Sequence, residues 1–103
     1  MTNIYKIVWS DEALKNLAAI TNYLENNWTE KELKQFAGLL DKRLNSIASN
    51  PTLFPIFNHI TNIRRSVLSK QTSIFYQIID LEVRLITIFD NRQNPKRLKN
   101  NLK

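Results

Sequence analysis

Residues 29–51, TEKELKQFAGLLDKRLNSIASNP, decide the fold. Thr29 and Glu32 have the spacing of a capping box, in which each side chain accepts a hydrogen bond from the backbone N–H of the other. Apolar residues then recur at steps of three and four, which predicts a helix with one face toward a core. Asn50-Pro51 should end it, because the residue before a proline is pushed out of the helical region. The apolar positions are Leu33, Phe36, Ala37, Leu40, Leu44, Ile47 and Ala48.

A second amphipathic helix precedes this one. Ser10 is suited to cap it, and Asp11 and Glu12 place negative charge in its first turn. The two helices have almost no linker between them, so they should form an antiparallel hairpin. Its predicted buried stripe consists of Leu14, Leu17, Ala18, Thr21, Leu24 and Trp28.

Strand-like runs flank the hairpin. Ile4 to Trp9 is apolar on both faces, which predicts a strand inside a sheet, although its partner strand is left open. Residues 51–62 read as irregular. The runs 63–68, 73–80 and 83–89 are then predicted to form an antiparallel meander, with a tight turn at Leu81 and Glu82. The predicted fold class is α+β, in the order β-α-α-β-β-β, with the hairpin on one face of the sheet. We expect residues 1–103 to form one domain with a partly frayed tail at 91–103.

Composition narrows the function classes. The 103 residues include no cysteine, so a disulfide framework or a thiolate metal site is not possible. No apolar run is long enough to span a membrane and no signal peptide is evident, so we expect a cytoplasmic protein. Residues 51–103 carry nine basic and three acidic side chains, whereas the first half is balanced at six each. This asymmetry favours nucleic acid or an acidic protein as partner, although a solubilising basic tail is an alternative.

Groups that carry catalysis are scarce. His59 is the only histidine, and a lone histidine in a loop is more often a surface residue than a base. No catalytic triad, zinc motif or phosphate-binding loop is present, so we predict no metal and no cofactor. Arg64 and Arg65 point to opposite faces of a strand, and whichever faces away from the helices should join Arg84 on the open sheet surface. Cross-strand ion pairing with Asp80, Glu82 or Asp90 is the alternative role for these arginines.

Several segments together resemble a known family. They are YKIVWSDEA at 5–13, IRR at 63–65, FYQI at 75–78, VRLI at 83–86 and FDNRQNPKRL at 89–98. Their order and spacing are similar to those of the RelE/ParE superfamily of bacterial type II toxin–antitoxin toxins. The resemblance implies a helical hairpin on an antiparallel sheet, and a cognate antitoxin that holds the toxin inactive. Such an antitoxin commonly binds its own operator, so this chain would contact operator DNA only through the complex.

The superfamily has two activities, and the resemblance bears on both. RelE-like members cut messenger RNA on the ribosome with strand-borne cations; Arg64 and Arg92 match or approach two such positions. Ser73 stands where that branch commonly has an arginine, and no tyrosine or histidine follows Tyr76. ParE-like members poison DNA gyrase and often carry a His-Gly-Arg-Arg/Gln-Asp-Pro segment after the last strand. Residues 90–95, DNRQNP, keep its arginine, glutamine and proline, so the ParE branch is favoured.

Three hypotheses follow from the sequence. The first is a ParE-like toxin of a plasmid-stabilisation module that acts by binding gyrase or its DNA complex. Its target-binding residues would be Arg64, Arg84, Arg92, Lys96 and Arg97. The second is a ribosome-dependent endoribonuclease that uses Arg64 and Arg92 to stabilise phosphate charge. The third is an inactive relative that only binds its antitoxin, for which the helical face and Leu39 would matter most. Whether the chain is an enzyme is therefore open.

Overall fold

The computed structural model describes residues 5–90, and its architecture confirms the predicted α+β order. Two helices follow a first strand, and the remaining strands come after them. The elements are β1 (Lys6–Trp9), α1 (Asp11–Asn27), α2 (Glu30–Ser49), a 3₁₀ turn (Pro51–Leu53), β2 (Ile56–Asn58), β3 (Ile63–Val67), β4 (Thr72–Ile79) and β5 (Glu82–Asp90). The short strand β2 lies in the segment that was predicted to be irregular, so the sheet has one more strand than expected.

Both helix starts are capped as predicted. The Ser10 hydroxyl accepts a hydrogen bond from the Ala13 backbone N–H at 3.0 Å. Thr29 and Glu32 form the complete capping box, with Glu32 Oε2 2.8 Å from the Thr29 backbone nitrogen. Only Trp28 and Thr29 separate the helices. This short connection makes α1 and α2 neighbours in the fold.

The buried face of α1 differs from the predicted stripe. Leu24 is buried as expected, but Leu14 and Trp28 are 50% and 46% exposed. The buried positions are instead Ala13, Asn16, Ile20 and Leu24. The prediction was wrong because it followed large apolar residues, whereas this face includes a buried polar side chain, Asn16. The predicted stripe of α2 holds better: Leu40, Ile47 and Ala48 are buried, and Leu33, Phe36 and Leu44 are partly buried.

The strand order of the sheet is β1-β5-β4-β3-β2. The strands from β2 to β5 pair antiparallel with their neighbours, and β1 pairs parallel with β5, from Lys6 opposite Glu82 to Trp9 opposite Leu85. The prediction that the first strand lies inside the sheet was therefore wrong, since β1 is an edge strand. Its apolar residues have another role, because Ile7 and Trp9 pack against the hydrophobic core.

The turn between β4 and β5 lies one residue earlier than predicted. Ile79 pairs with Glu82, so the connecting residues are Asp80 and Leu81. Asp80 has a φ of 56°. Aspartate tolerates this left-handed conformation better than most side chains, which explains a tight turn without glycine.

Side chains of α1 fix an irregularity in β5. The register between β4 and β5 shifts after Phe75, which leaves Ile86 as an extra residue in β5. The Ser10 hydroxyl donates to the Ile86 carbonyl at 2.8 Å. Asn16 Oδ1 accepts from the Thr87 hydroxyl, and from the Ile88 N–H at 3.1 Å. The bulge frees backbone and side-chain groups that the sheet does not pair, and α1 supplies their partners.

Candidate partner-binding surface

The two adjacent arginines of β3 lie on opposite faces of the sheet. Arg64 stands opposite Tyr76, a residue of the hydrophobic core, and Arg65 stands opposite Phe75. Because side chains alternate along a strand, Arg64 points to the side covered by the helices and Arg65 to the open side. This answers the question that the sequence left open: Arg65 shares the outer face with Arg84.

Arg64 makes its contacts within the chain. Its Nη1 donates to the Phe54 carbonyl at 2.6 Å and to the Thr52 carbonyl at 3.3 Å. Beside it, the Tyr76 hydroxyl donates to the Pro51 carbonyl at 2.6 Å. These bonds hold the segment that leads from α2 into the sheet. Arg64 was predicted as a target-binding residue, and the structure places its guanidinium on backbone carbonyls of this segment.

A third arginine secures the same region from the helical side. Arg43 of α2 donates from Nη1 to the Ser66 hydroxyl at 2.8 Å and to the Val67 carbonyl at 2.7 Å. Its guanidinium carbon also lies 5.4 Å from the centre of the Phe54 ring. Sequence reasoning missed Arg43 because it stands between the apolar positions of an amphipathic helix. The pattern gives no sign that such a cation reaches the sheet.

Arg65 has a defined position on the outer face. Its Nε donates to the Ser73 hydroxyl at 3.2 Å. Its guanidinium carbon lies 6.0 Å from the ring centre of Phe57 and 5.9 Å from that of Phe75. The two rings meet edge to face at 4.9 Å. A guanidinium held in this way loses little conformational entropy when it binds an anion.

Arg84 is exposed on β5 and pairs with a neighbouring carboxylate. Its Nη2 lies 3.1 Å from Glu82 Oε1, with half of the arginine side chain open to solvent. An exposed pair of this kind contributes little stability, so a partner that offers a second anion can compete for Arg84. The alternative role given to Arg84 from the sequence was cross-strand ion pairing, whereas this pair joins two residues of the same strand, β5. The other predicted target-binding residues, Arg92, Lys96 and Arg97, lie outside the described residues.

Among residues 5–90, the histidine and the tyrosine closest to a candidate site differ in their surroundings. His59 is exposed in the turn between β2 and β3. Burial raises the pKa of Tyr76 to about 12, against a smaller opposing effect of the Arg64 charge. Within residues 5–90 no cluster of histidine, aspartate or glutamate could hold a metal ion. No helix of the described part of the chain is long and apolar enough to cross a membrane.

An open groove of about 630 Å³ lies where the helical hairpin meets the turn between β3 and β4. Its walls include Trp28 and Leu39, which are 46% and 45% exposed. The sequence prediction placed Leu39 outside the buried stripe of α2, and the structure confirms that position. The remaining lining residues are Leu24, Glu32, Lys34, Gln35, Phe36, Gly38, Lys42, Leu68, Ser69, Gln71 and Thr72.

Solved structures share this fold at low sequence identity. A toxin–antitoxin structure described as the chromosomal ParDE system from P. aeruginosa matches with a TM-score of 0.71 and 11% identity, covering 86% of this chain and 98% of that chain. A copper-bound L66S mutant toxin from Helicobacter pylori matches with a TM-score of 0.60 and 14% identity, covering 87% and 98%. The E. coli DinJ–YafQ toxin–antitoxin complex matches with a TM-score of 0.54 and 14% identity, covering 89% and 98%. These likenesses establish the fold.

A match to a family model assigns the chain to a protein family, which the structural likenesses alone do not do. No curated protein matches the sequence. The model for the ParE toxin of the type II toxin–antitoxin system parDE, however, matches residues 7–95. The match includes both helices, the five strands from Ile7 onward and the Arg-Gln-Asn-Pro segment. The chain therefore belongs to the ParE toxin family of type II toxin–antitoxin systems.

Proposed function

We propose that this chain inhibits bacterial growth by binding DNA gyrase or the gyrase–DNA complex in the cytoplasm. A cognate antitoxin neutralises it, as in a plasmid-stabilisation module. The observation that carries this proposal is the family match over residues 7–95, which includes the segment resembling that of gyrase-directed members. Inhibition by binding requires a shaped, charged surface and no proton-transfer groups.

The environment of Tyr76 supports binding rather than RNA cleavage. Cleavage through a 2′-hydroxyl needs a group that takes up or gives a proton near neutral pH. The Tyr76 hydroxyl is fully buried, donates to the Pro51 carbonyl and has a pKa of about 12. It therefore serves the fold. Arg64, the residue expected to stabilise phosphate charge, is likewise bound to backbone carbonyls.

The proposed target surface is the outer face of the sheet together with the basic segment that follows β5. Arg65 and Arg84 are the arginines of this face among the described residues. Arg92, Lys96 and Arg97 follow in the sequence and add positive charge with no acidic residue after Asp90. A surface of one sign attracts an acidic protein patch or a DNA backbone and raises the rate of encounter. Arg64 contributes indirectly, because it holds the segment beside β3.

The proposal of an antitoxin partner rests on solved toxin–antitoxin structures that share this fold. Two of the similar structures are described as a ParDE toxin–antitoxin system and a DinJ–YafQ toxin–antitoxin complex, and this chain covers 98% of the matched chain in each. The antitoxin would bring acidic and apolar side chains to a protein whose net charge is +6. Operator DNA would be contacted through the complex.

The test is inducible expression of the full chain in a bacterial host, with growth scored beside Arg92→Ala and Arg65→Ala variants. We expect growth arrest with altered plasmid supercoiling, and relief of both effects in the variants at equal soluble expression. The charge-matched control is Lys31→Ala, which removes one positive charge from an exposed position of α2, outside the proposed target surface. Arrest with normal supercoiling and with transcripts cut at codon boundaries, mapped by primer extension, would instead establish the endoribonuclease. Normal growth with soluble protein would favour a chain that only binds its antitoxin.

A further inference from the structure

Gly38 is the single glycine of the chain, and it lies in the interior of α2. Glycine at such a position destabilises a helix relative to alanine, because its backbone loses more freedom on folding. Folds accept this cost where the backbone needs a positive φ or where a neighbour leaves no room for a Cβ. Neither condition holds here: the φ of Gly38 is not positive, and beyond its chain neighbours and the adjacent backbone of α2 a Cβ would meet nothing within 4 Å. Nothing in residues 5–90 requires the glycine.

The position of Gly38 suggests that a binding partner requires the glycine. It lines the open groove between the helical hairpin and the turn that joins β3 to β4. On the same groove, Trp28 and Leu39 keep nearly half of their surface in water. Apolar side chains exposed together beside a bare stretch of helix backbone are typical of a surface that a partner covers. The missing side chain lets that partner approach the axis of α2 more closely.

The charges around the groove indicate the chemistry of the partner. Its lining contains two lysines, Lys34 and Lys42, and one acid, Glu32. Lys34 lies 3.4 Å from Glu30, but both side chains are about four-fifths exposed, so this pair is weak. A second copy of this chain would bring a net charge of +6 to a groove whose lining is already net positive by one charge, which disfavours self-association. An acidic, amphipathic segment satisfies both the apolar walls and the lysines.

We propose that Gly38 is the point where an acidic amphipathic segment of the antitoxin lays its backbone against α2. The apolar side chains of that segment lie beside Trp28 and Leu39, and a carboxylate reaches Lys42. This inference rests on the proposed function, because it takes the antitoxin as the occupant. It assigns to Gly38 a role in binding that is opposed to its effect on the stability of the free toxin.

A substitution of Gly38 should change the stability of the free toxin and its affinity for the antitoxin in opposite directions, and this can be measured. The probe is a purified antitoxin that relieves growth arrest when it is co-expressed with this chain, titrated calorimetrically into the full-length toxin and its Gly38→Ala variant. The variant should melt about 4 °C higher than the wild type, because alanine is the better helix former. It should also bind the antitoxin about tenfold more weakly, because the added methyl group holds the two backbones apart. Gly38→Leu should weaken binding further, and Leu39→Ala should weaken it without a large change in melting temperature.

Asn22→Ala is the matched control, since Asn22 is exposed on α1 and outside the groove. It should also raise the melting temperature, but leave antitoxin affinity unchanged. Wild-type binding with equal affinity for Gly38→Ala and Gly38→Leu would overturn the inference and leave the proposed function intact. No binding by the wild type would overturn the proposed neutralisation and this inference together. A concentration-dependent dimer of the toxin that Gly38→Leu abolishes would identify a second copy as the occupant and refute the assignment.

Discussion

Tyr76 and Arg64 stand opposite each other on β4 and β3, and both donate hydrogen bonds to carbonyls of the same short segment. The tyrosine binds the Pro51 carbonyl, and the arginine binds those of Thr52 and Phe54. The turn after α2 is thus held by a cross-strand pair whose polar groups point into the protein. Residues that resemble catalytic or target-binding groups in the sequence are used here to connect the helices to the sheet.

Tyr76→Phe should destabilise the protein by about 1–3 kcal/mol, because it leaves the buried Pro51 carbonyl without its hydrogen-bond donor. Chemical denaturation of the purified protein measures this change. Growth inhibition by the variant should persist wherever the folded fraction is maintained, because the hydroxyl is buried and bonded to a backbone carbonyl. Loss of toxicity with unchanged stability would contradict this assignment and favour a catalytic tyrosine.

The same hydroxyl should make stability sensitive to alkaline pH. The pKa of Tyr76 is raised to about 12 in the folded protein, from an ordinary value of 10.0. Below the ordinary value both states hold the proton, and the contribution of the group to stability is complete. As the pH rises further, the unfolded chain loses its proton first, so this stability is lost progressively up to the folded pKa. We expect the stability difference between wild type and Tyr76→Phe to shrink over this range, as followed by denaturation at stepped pH.

Arg64→Ala and Arg65→Ala should separate folding from binding. The first removes charge-assisted bonds to the Thr52 and Phe54 carbonyls and should cost about 2 kcal/mol. The second removes exposed ring contacts and one bond to Ser73, and should cost less than about 1 kcal/mol. Arg65→Ala should nevertheless reduce growth inhibition more, per folded molecule. If Arg64→Ala proves neutral for stability but abolishes toxicity, the functional cation is Arg64.

Asn16→Ala should destabilise the protein by about 3 kcal/mol, since it removes the acceptor of the Thr87 hydroxyl and the Ile88 N–H at the bulge of β5. Asn22→Ala, in the same helix but exposed, should be slightly stabilising, because alanine is the better helix former. Thermal unfolding of both variants tests the difference. Equal effects of the two substitutions would mean that the bulge does not depend on α1.

The sequence was informative wherever a local rule governs structure. The capping box at Thr29 and Glu32, the stop at Pro51 and the strand-like run at 73–80 are local, and each predicted an element that the structure contains. The face of α1 was not predictable in this way, because Asn16 is buried by a bulge more than 70 residues away along the chain. The strand β2 was missed because three residues are too few to show a period.

The candidate site was only partly accessible from the sequence. Adjacency of Arg64 and Arg65 guarantees that one faces outward, but the choice depends on the register with β4. Arg84 is described, exposed and paired with Glu82, whereas the roles of Arg92, Lys96 and Arg97 stay predictions. The groove at Gly38 lies between the helical hairpin and the turn from β3 to β4, which are distant in the chain, and the only local sign of it was Leu39 outside the apolar stripe.

The parallel pairing of β1 with β5 sets an order of events during protein synthesis. Within the described residues, the first strand to leave the ribosome has the last strand as its only neighbour in the sheet. β1 therefore has no strand to pair with until the helices and three further strands have been synthesised. A nascent chain interrupted before residues 82–85 therefore carries an incomplete sheet edge. A cell that stops translating this message early makes a fragment that cannot assemble the toxin.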